Sequence, residues 1–386
     1  MTNLEAMTVE LFKQQGVDLV ATLPCDRLKN LLPLIGEHFF EIQLSREEDG
    51  VGICAGAYLS GATPLMLIQS TGIGNLLNAL SSLHFTYELP LPIVASWRGV
   101  YRESIQAQLY WGTHLKRVLD ALDVSVFEVH VAEDLWLIRE GIRTAYEMSL
   151  PTVTLVSPQV WECSALEGTL EVKYERNPPS AMRFEAPFKH PILTRYEAIQ
   201  AALEYLRGRI VICNLGIPSK ELHALVDQSS NFYMLGSMGL VSSIGLGISL
   251  CNSRGVVVLD GDGSLLMNPN ALCSISQLAS NNLTVLALDN GTYGSTGNQQ
   301  TASQKLDLES LARGFGIQHT CKAYSSDDIV ASLQAHVGGP KFIHVVLRPG
   351  NADVPNLPCT ALEIKERFMA EASKTSKRLS IMRAEK

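Results

Sequence analysis

Asp262 and Asn290 stand twenty-eight positions apart, and each belongs to a glycine-rich, oxygen-rich turn that closes an apolar run. The first turn reads Asp260-Gly261-Asp262-Gly263-Ser264 after the run 256–259. The second reads Asp289-Asn290-Gly291-Thr292-Tyr293-Gly294 after the run 283–288. A carboxylate and an amide brought together suit a hard cation such as Mg²⁺, which takes oxygen ligands and often carries phosphates. Glycine N–H groups can cradle those phosphates. Either turn alone reads as an ordinary metal-free turn. With a helix-like segment between two apolar strands, a parallel sheet brings both turns to one carboxyl-end edge, where ligands bind.

The elements that must place these turns run through the whole chain. Residues 2–15 read as an amphipathic helix with Leu4, Met7, Leu11 and Phe12 on one face. The apolar run 17–23 stops at Pro24, and Asp26 is placed to cap a helix over 27–35. Strands are expected at 39–44, 64–69, 93–97, 124–129 and 152–156. Between them lie a small-residue helix in SREEDGVGICAGAYLSG, a helix opened by Ser70-Thr71-Gly72-Ile73-Gly74, and helices at 114–122 and 133–147. This alternation predicts an α/β domain with a mostly parallel sheet over 1–160. Residues 161–191, with Pro178-Pro179 and Pro187, read as a linker. The alternation resumes over 192–386. Helices are expected at 193–206, 308–313, 327–335 and 362–372, and strands at 210–214 and 342–347 besides the two that carry the turns. The expected fold class is α/β, two domains each with a mostly parallel sheet flanked by helices.

The totals agree with two domains: 386 residues, 46% hydrophobic. A net charge of −8 without a basic run argues against nucleic acid as a partner. The eight cysteines are scattered with no CxxC pair, which suits buried thiols in a reducing cytoplasm better than disulfides or zinc. The start, MTNLEAMTVELFKQQG, lacks the features of a signal peptide, and no apolar run has the length of a membrane span. A cytoplasmic protein with no membrane partner is expected.

Strand, GDGS, helix, strand and DNGTYG together resemble the thiamine diphosphate signature. With no room for a middle domain, the chain resembles the sulfopyruvate decarboxylase and phosphonopyruvate decarboxylase family. REEDGVGICAGAYLSG, QSTGIGNLLNAL, ESIQAQLYWG, GSMGL, DGDGSLLMN and LDNGTYGSTGNQQT look closer to the sulfopyruvate type. The resemblance implies a pyrimidine-binding domain over 1–160 and a pyrophosphate- and Mg²⁺-binding domain over 192–386, both of the thiamine diphosphate-binding fold. It implies thiamine diphosphate and Mg²⁺ as cofactors and non-oxidative decarboxylation of a 2-oxo acid bearing an anion at C3. The favoured substrate is 3-sulfopyruvate, giving sulfoacetaldehyde and CO₂. The alternatives, in order, are phosphonopyruvate, acetolactate-type carboligation and a non-catalytic binding module.

By the same resemblance, Asp262, Asn290 and the Thr292 carbonyl are metal ligands. Gly261, Gly263, Ser264, Tyr293 and Gly294 meet the cofactor, with Asp260 and Asp289 in support; a helix N-cap is the bland reading of Ser264. Met238 in the Gly236-Ser237-Met238-Gly239 turn wedges between the two rings of the cofactor, and the Gly236 carbonyl faces the aminopyrimidine. Glu47 supplies the carboxyl group that works on the pyrimidine ring as part of general acid–base chemistry. Glu48 competes for that role, and either acid also reads as decoration of a helix start. Glu47 and Asp262 fall in different domains, and in this family the cofactor sits between domains of different subunits, so a homo-oligomer with shared sites is implied. Candidate contacts for a small anionic 2-oxo acid are Gln69, Ser70, Thr71, Ser295, Thr296, Asn298 and Gln299, with Arg98, Arg102 and Arg46 as candidate charges and His84 and His114 as candidate proton carriers. Each arginine has a solvated surface position as its ordinary reading.

Overall fold

Short runs of mostly aliphatic and β-branched residues, most of the inner ones buried on both faces, make six parallel strands in each half of the chain. The computed structural model describes residues 3–162, 188–279 and 281–379. Two compact units result, built among those residues mainly on 3–162 and on 188–377. The first unit holds β1 (Leu19–Thr22), β2 (Phe40–Gln43), β3 (Pro64–Gln69), β4 (Leu91–Ser96), β5 (Ser125–Val129) and β6 (Pro151–Val156), in the order β2-β1-β3-β4-β6-β5. The second holds β7 (Ile210–Cys213), β8 (Asn231–Tyr233), β9 (Val256–Gly261), β10 (Leu283–Asp289), a small hairpin of β11 (Thr292–Tyr293) and β12 (Gln299–Gln300), then β13 (His319–Ala323) and β14 (Lys341–Val346). Its main sheet runs β13-β14-β10-β9-β7-β8. Read from the other edge and without the hairpin, this is the strand order of the first unit. Every strand pair in both main sheets is parallel. The order reverses between β1 and β3 in one sheet and between β7 and β9 in the other. In such sheets the crevice outside the carboxyl ends of the strands at the reversal is where ligands bind.

Each unit buries one helix poor in polar side chains. In the first, Glu47–Leu59 packs close enough that a Cβ on Gly50 would come 2.6 Å from Leu44 Cδ1 and 2.7 Å from Met66 Cε. In the second, Val241–Cys251 is buried along its whole length, and a Cβ on Gly245 would lie 2.2 Å from Val258 Cγ2. The small residues let each helix lie against its sheet, where a fully buried Leu or Ile stabilises by about 1.5–3 kcal/mol. An added methyl would overpack the contact, at a cost of about 1–3 kcal/mol.

Several local expectations shift. The first helix, Leu4–Gln14, buries Glu5, Thr8, Val9 and Phe12, while Met7 is exposed. Asp26 does not cap a helix over 27–35: it opens a 3₁₀ turn, Asp26–Leu28, and the α-helix begins at Leu32. The helix expected from Ser70 is a 3₁₀ segment, Ser70–Asn75, leading into π-helical Leu80–Phe85. Helix Ile217–Leu225 and strand β13 had no clear signal in the sequence. Four of the cysteines, 25, 54, 213 and 251, are buried thiols, and Cys163 lies outside the described residues. Helix Gln159–Glu162 carries Val160 and Trp161 into the first unit's core. Most of the linker expected over 161–191 lies outside the described residues. Among those described, no helix is long and apolar enough to cross a membrane.

Candidate active site

β9 and β10 are neighbours, with Leu288 opposite Gly261, so the two oxygen-rich turns emerge side by side at the carboxyl edge of the second sheet. A cleft of about 140 Å³ opens there. Met238, Gly261, Asp262, Gly263, Ser264, Asn290, Thr292, Tyr293, Gly294, Ser295 and Thr296 all line it. Asn298 and Gln299 do not; they belong to the exposed hairpin, where the Thr296 hydroxyl donates to Gln299 Oε1 at 2.7 Å and Gln299 Nε2 donates to the Thr296 carbonyl at 2.9 Å.

Asp262 opens the helix Asp262–Met267 and is only 3% exposed. One of its oxygens, Oδ2, accepts from the Thr301 hydroxyl and lies 3.1 Å from Ser303 Oγ. Ser303 Oγ is also 2.7 Å from Asp289 Oδ1, so one hydroxyl ties two carboxylates together. Asp289 in turn meets His344 Nε2 at 2.8 Å, and His344 Nδ1 lies 3.5 Å from Asp307 Oδ1. Burial acts to lower the His344 pKa, but its carboxylate partners prevail and raise it. Burial, with the Asp289 charge adding to it, pushes the Asp262 carboxyl above its ordinary range against the hydroxyls that favour its charge. Burial likewise drives Asp260 up to about 6, against hydrogen bonds from Ser264 and Ser242. Buried carboxylates raised in this way are stabilised by a cation beside them.

That is one test of whether the residues fit a metal and a diphosphate. The second is Asn290, whose Oδ1 accepts from the Thr292 N–H at 3.2 Å while its Nδ2 is buried without a protein partner. The oxygen that accepts from Thr292 keeps a second lone pair with which to meet a cation. Among the described residues no cluster of three or more His, Cys, Asp or Glu is built to hold a metal. The donor set here is instead one carboxylate, one amide and one backbone carbonyl, the hard oxygen ligands that Mg²⁺ takes alongside phosphate. The first turn also requires its glycine. Gly263 lies under the Tyr293 ring, where a Cβ would come 2.3 Å from Cε1. Ser264 is not a helix cap: it sits inside the helix and its Oγ accepts the Gly239 N–H at 3.1 Å, joining the Met238 turn to the Asp262 turn. That turn is held in an uncommon backbone form, with Ser237 at φ 56° and Gly239 at φ 98°.

Two groups of residues escaped sequence reasoning. Thr301 and Ser303 hold Asp262 from some forty positions away, beyond any local pattern. Arg195 also lines the cleft. Its Nε donates to Glu221 Oε2 at 2.7 Å and its Nη2 to Asn351 Oδ1 at 2.9 Å, and Asn351 Nδ2 donates to the Gly294 carbonyl at 2.8 Å. An arginine at the first position of a helix runs against the macrodipole, a signal that it serves something else.

In the first unit, Glu47 and Glu48 part ways. Glu47 is 8% exposed, and its Oε2 accepts from Asn75 Nδ2 at 2.9 Å. Glu48 turns to Arg46, whose Nε donates to Glu48 Oε2 at 3.1 Å. Arg98 is no solvated surface group. It is 3% exposed and gives Nε and Nη2 to Glu103, and Nη1 to both Asp26 at 2.9 Å and Gln69 at 3.0 Å. The guanidinium holds the Glu103 carboxyl down at about 2. Gln69 also donates to Thr71. Three expected substrate contacts thus form one network at the ends of β3 and β4, and the charge of Arg98 is already matched by carboxylates. His84 is fully buried between the Leu89 and Val51 carbonyls and has its pKa lowered by burial, whereas His114 is half-buried against Tyr110.

Paired parallel sheets, each with a small-residue helix, and a cleft of Asp, Asn and glycine amides define a thiamine diphosphate enzyme. Family models agree: the thiamine pyrophosphate enzyme N-terminal binding domain matches residues 2–123, and the C-terminal binding domain matches 219–345. Sulfopyruvate decarboxylase of Methanosarcina acetivorans is 47% identical over 381 residues, covering 95% of this chain and 97% of its own. Phosphonopyruvate decarboxylase of Streptomyces viridochromogenes is 32% identical over 374 residues, covering 92% and 91%. The β subunit of sulfopyruvate decarboxylase from Methanothermobacter thermautotrophicus is 46% identical over 180 residues, 47% of this chain and 96% of its own. The chain belongs to the sulfopyruvate and phosphonopyruvate decarboxylase family of thiamine diphosphate enzymes, and it is a carbon–carbon lyase in which the equivalent of a separate subunit is fused to a further half.

Proposed function

We propose that this enzyme decarboxylates 3-sulfopyruvate to sulfoacetaldehyde and CO₂ without oxidation, using Mg²⁺ and thiamine diphosphate. The observation that carries the choice of substrate is the 47% identity over nearly the whole chain to a sulfopyruvate decarboxylase, against 32% to a phosphonopyruvate decarboxylase. Phosphonopyruvate, the second reading, rests on that other full-length relative.

When bound, thiamine diphosphate supplies a nucleophilic carbon and an electron sink. The residues of this chain do the rest. Asp262, the Asn290 side chain and the Thr292 carbonyl hold Mg²⁺. The amides of Gly261 and Gly263 and the Ser264 hydroxyl meet the diphosphate, which a helix start favours, with Tyr293 and Gly294 beside it. Met238 and the Gly236 carbonyl would bear on the rings of the bound cofactor. Glu47 holds a proton at the pyrimidine ring nitrogen. Ser295 and Thr296 from the cleft, Asn298 and Gln299 from the hairpin, and Gln69 and Thr71 from the first unit are the polar groups offered to the substrate. Arg98 fixes Gln69 rather than acting as an open cation. In this family the cofactor sits between domains of different subunits, so two or more chains would assemble with each site drawing its acid, Glu47, from one subunit and its metal ligands, Asp262 among them, from another.

The test offers purified protein, with Mg²⁺ and thiamine diphosphate, a panel of sulfopyruvate, phosphonopyruvate and pyruvate, and measures CO₂ and aldehyde. The highest kcat/KM is expected with sulfopyruvate. A preference for phosphonopyruvate reverses the order of substrates, and release from none of the three contradicts the decarboxylase reading.

A further inference from the structure

The turn Ser70–Asn75 does more than join β3 to the next helix, because it closes around the Glu47 carboxylate. Asn75 Nδ2 donates to Oε2 at 2.9 Å. On the other side, the bare Cα of Gly72 lies against the same group: a Cβ there would come 2.2 Å from Oε1 and 2.6 Å from Cδ. The turn itself is pinned at its start. Ser70 Oγ accepts the Arg98 N–H at 2.9 Å, and the Ser70 carbonyl accepts Trp111 Nε1–H at 2.9 Å. Gly74 then packs against the Trp111 ring, where a Cβ would sit 3.3 Å from the ring carbons.

We infer that Asn75 is a positioning residue for Glu47: its amide holds Oε2 while the bare Cα of Gly72 lies against Oε1, so the carboxyl is fixed in one orientation toward the cofactor ring. The inference rests on the reading of Glu47 as the ring acid. Its physical content is that a carboxylate with two free oxygens and a rotatable end loses geometry, and a misplacement of about 1 Å can cost about 100-fold in rate. A merely structural role for Asn75 is a different claim, because Asn75 is itself exposed in the protomer and closes no core.

The test compares Asn75→Leu, Asn75→Asp and Asn75→Gln with Glu47→Gln in the full-length enzyme loaded with Mg²⁺ and thiamine diphosphate. Leu and Asp keep the size of Asn but lose the donor, and Asp adds repulsion toward Glu47. Asn75→Leu is expected to lower kcat by about 10- to 100-fold with KM held within about threefold, and Asn75→Asp to lower it further, with Gln restoring part of the loss. The near-ultraviolet circular dichroism of the bound aminopyrimidine should shift in the Leu and Asp variants toward the Glu47→Gln spectrum, while thermal unfolding stays put. Wild-type kcat and an unchanged spectrum in both Leu and Asp variants, beside an inactive Glu47→Gln, would overturn the inference alone. An active Glu47→Gln would instead overturn the reading of Glu47 on which it rests. Gly72→Ala gives a second approach: displacement of the carboxylate predicts the same loss of kcat, and full activity counts against the inference.

Discussion

The two carboxylates that matter most are held in opposite ways. Asp262 sits in a buried chain of partners, with Thr301 and Ser303 on one oxygen, then Asp289, His344 and Asp307 beyond. Glu47 accepts from a single side-chain donor among the described residues, Asn75, at the exposed end of a turn. The units share a strand order, so the difference does not come from topology. The proposed roles account for it. A metal ligand would have to stay charged and fixed, which a dense network of hydroxyls and a cation can enforce inside the protein. A group proposed to exchange a proton would have to be placed without being saturated by donors, as one amide on Oε2 allows.

Four substitutions break or sharpen that contrast. Asp262→Ala should have the largest effect, abolishing the Mg²⁺-dependent binding of thiamine diphosphate in calorimetry. Glu47→Gln should leave cofactor binding near wild type while lowering kcat by about 10²- to 10⁴-fold. Equal loss of cofactor binding in both variants would erase the distinction. Ser303→Ala removes one strut from the Asp262 network and should weaken Mg²⁺ by about 10- to 100-fold, measured as the metal concentration for half-saturation. Glu48→Gln, which touches only an Arg46 ion pair, is expected to change kcat less than about twofold, since surface ion pairs contribute little.

A pH experiment probes the buried ion pair of the first unit. Glu103 is held at about 2 by Arg98, below its ordinary 4.5. An acid with a depressed folded pKa contributes stability that is present above the unfolded value and lost as pH falls through the folded one. Chemical denaturation should therefore show stability falling from pH 4.5 toward 2, and Glu103→Gln should flatten the slope in that window. An unchanged slope would mean that Arg98 and Glu103 are not coupled in solution.

The meeting of the two oxygen-rich turns was legible because strand, turn, helix and strand follow one another locally, and a parallel sheet fixes where such turns go. The strands were legible for the same reason, as with Pro64–Gln69, found at its expected bounds. The resemblance favoured Glu47, with Glu48 left in competition because neighbours on a helix start differ in direction rather than in pattern. Arg98 was offered as a candidate charge beside a surface reading, and its buried network was not legible because its partners Asp26 and Gln69 come from distant positions and its matching charge, Glu103, lies in an irregular segment. Thr301, Ser303 and Arg195 carry ordinary side chains whose meaning appears only when the fold closes.

The claim that the acid of one unit and the metal ligands of the other serve a site shared between subunits can be tested by co-expressing Glu47→Ala and Asp262→Ala chains. Each variant alone should be inactive. If two chains pair at random, half of the dimers are mixed and carry one intact site each, so the purified mixture should recover about a quarter of wild-type CO₂ release. Mixed oligomers with no activity above that of the single variants would contradict the account.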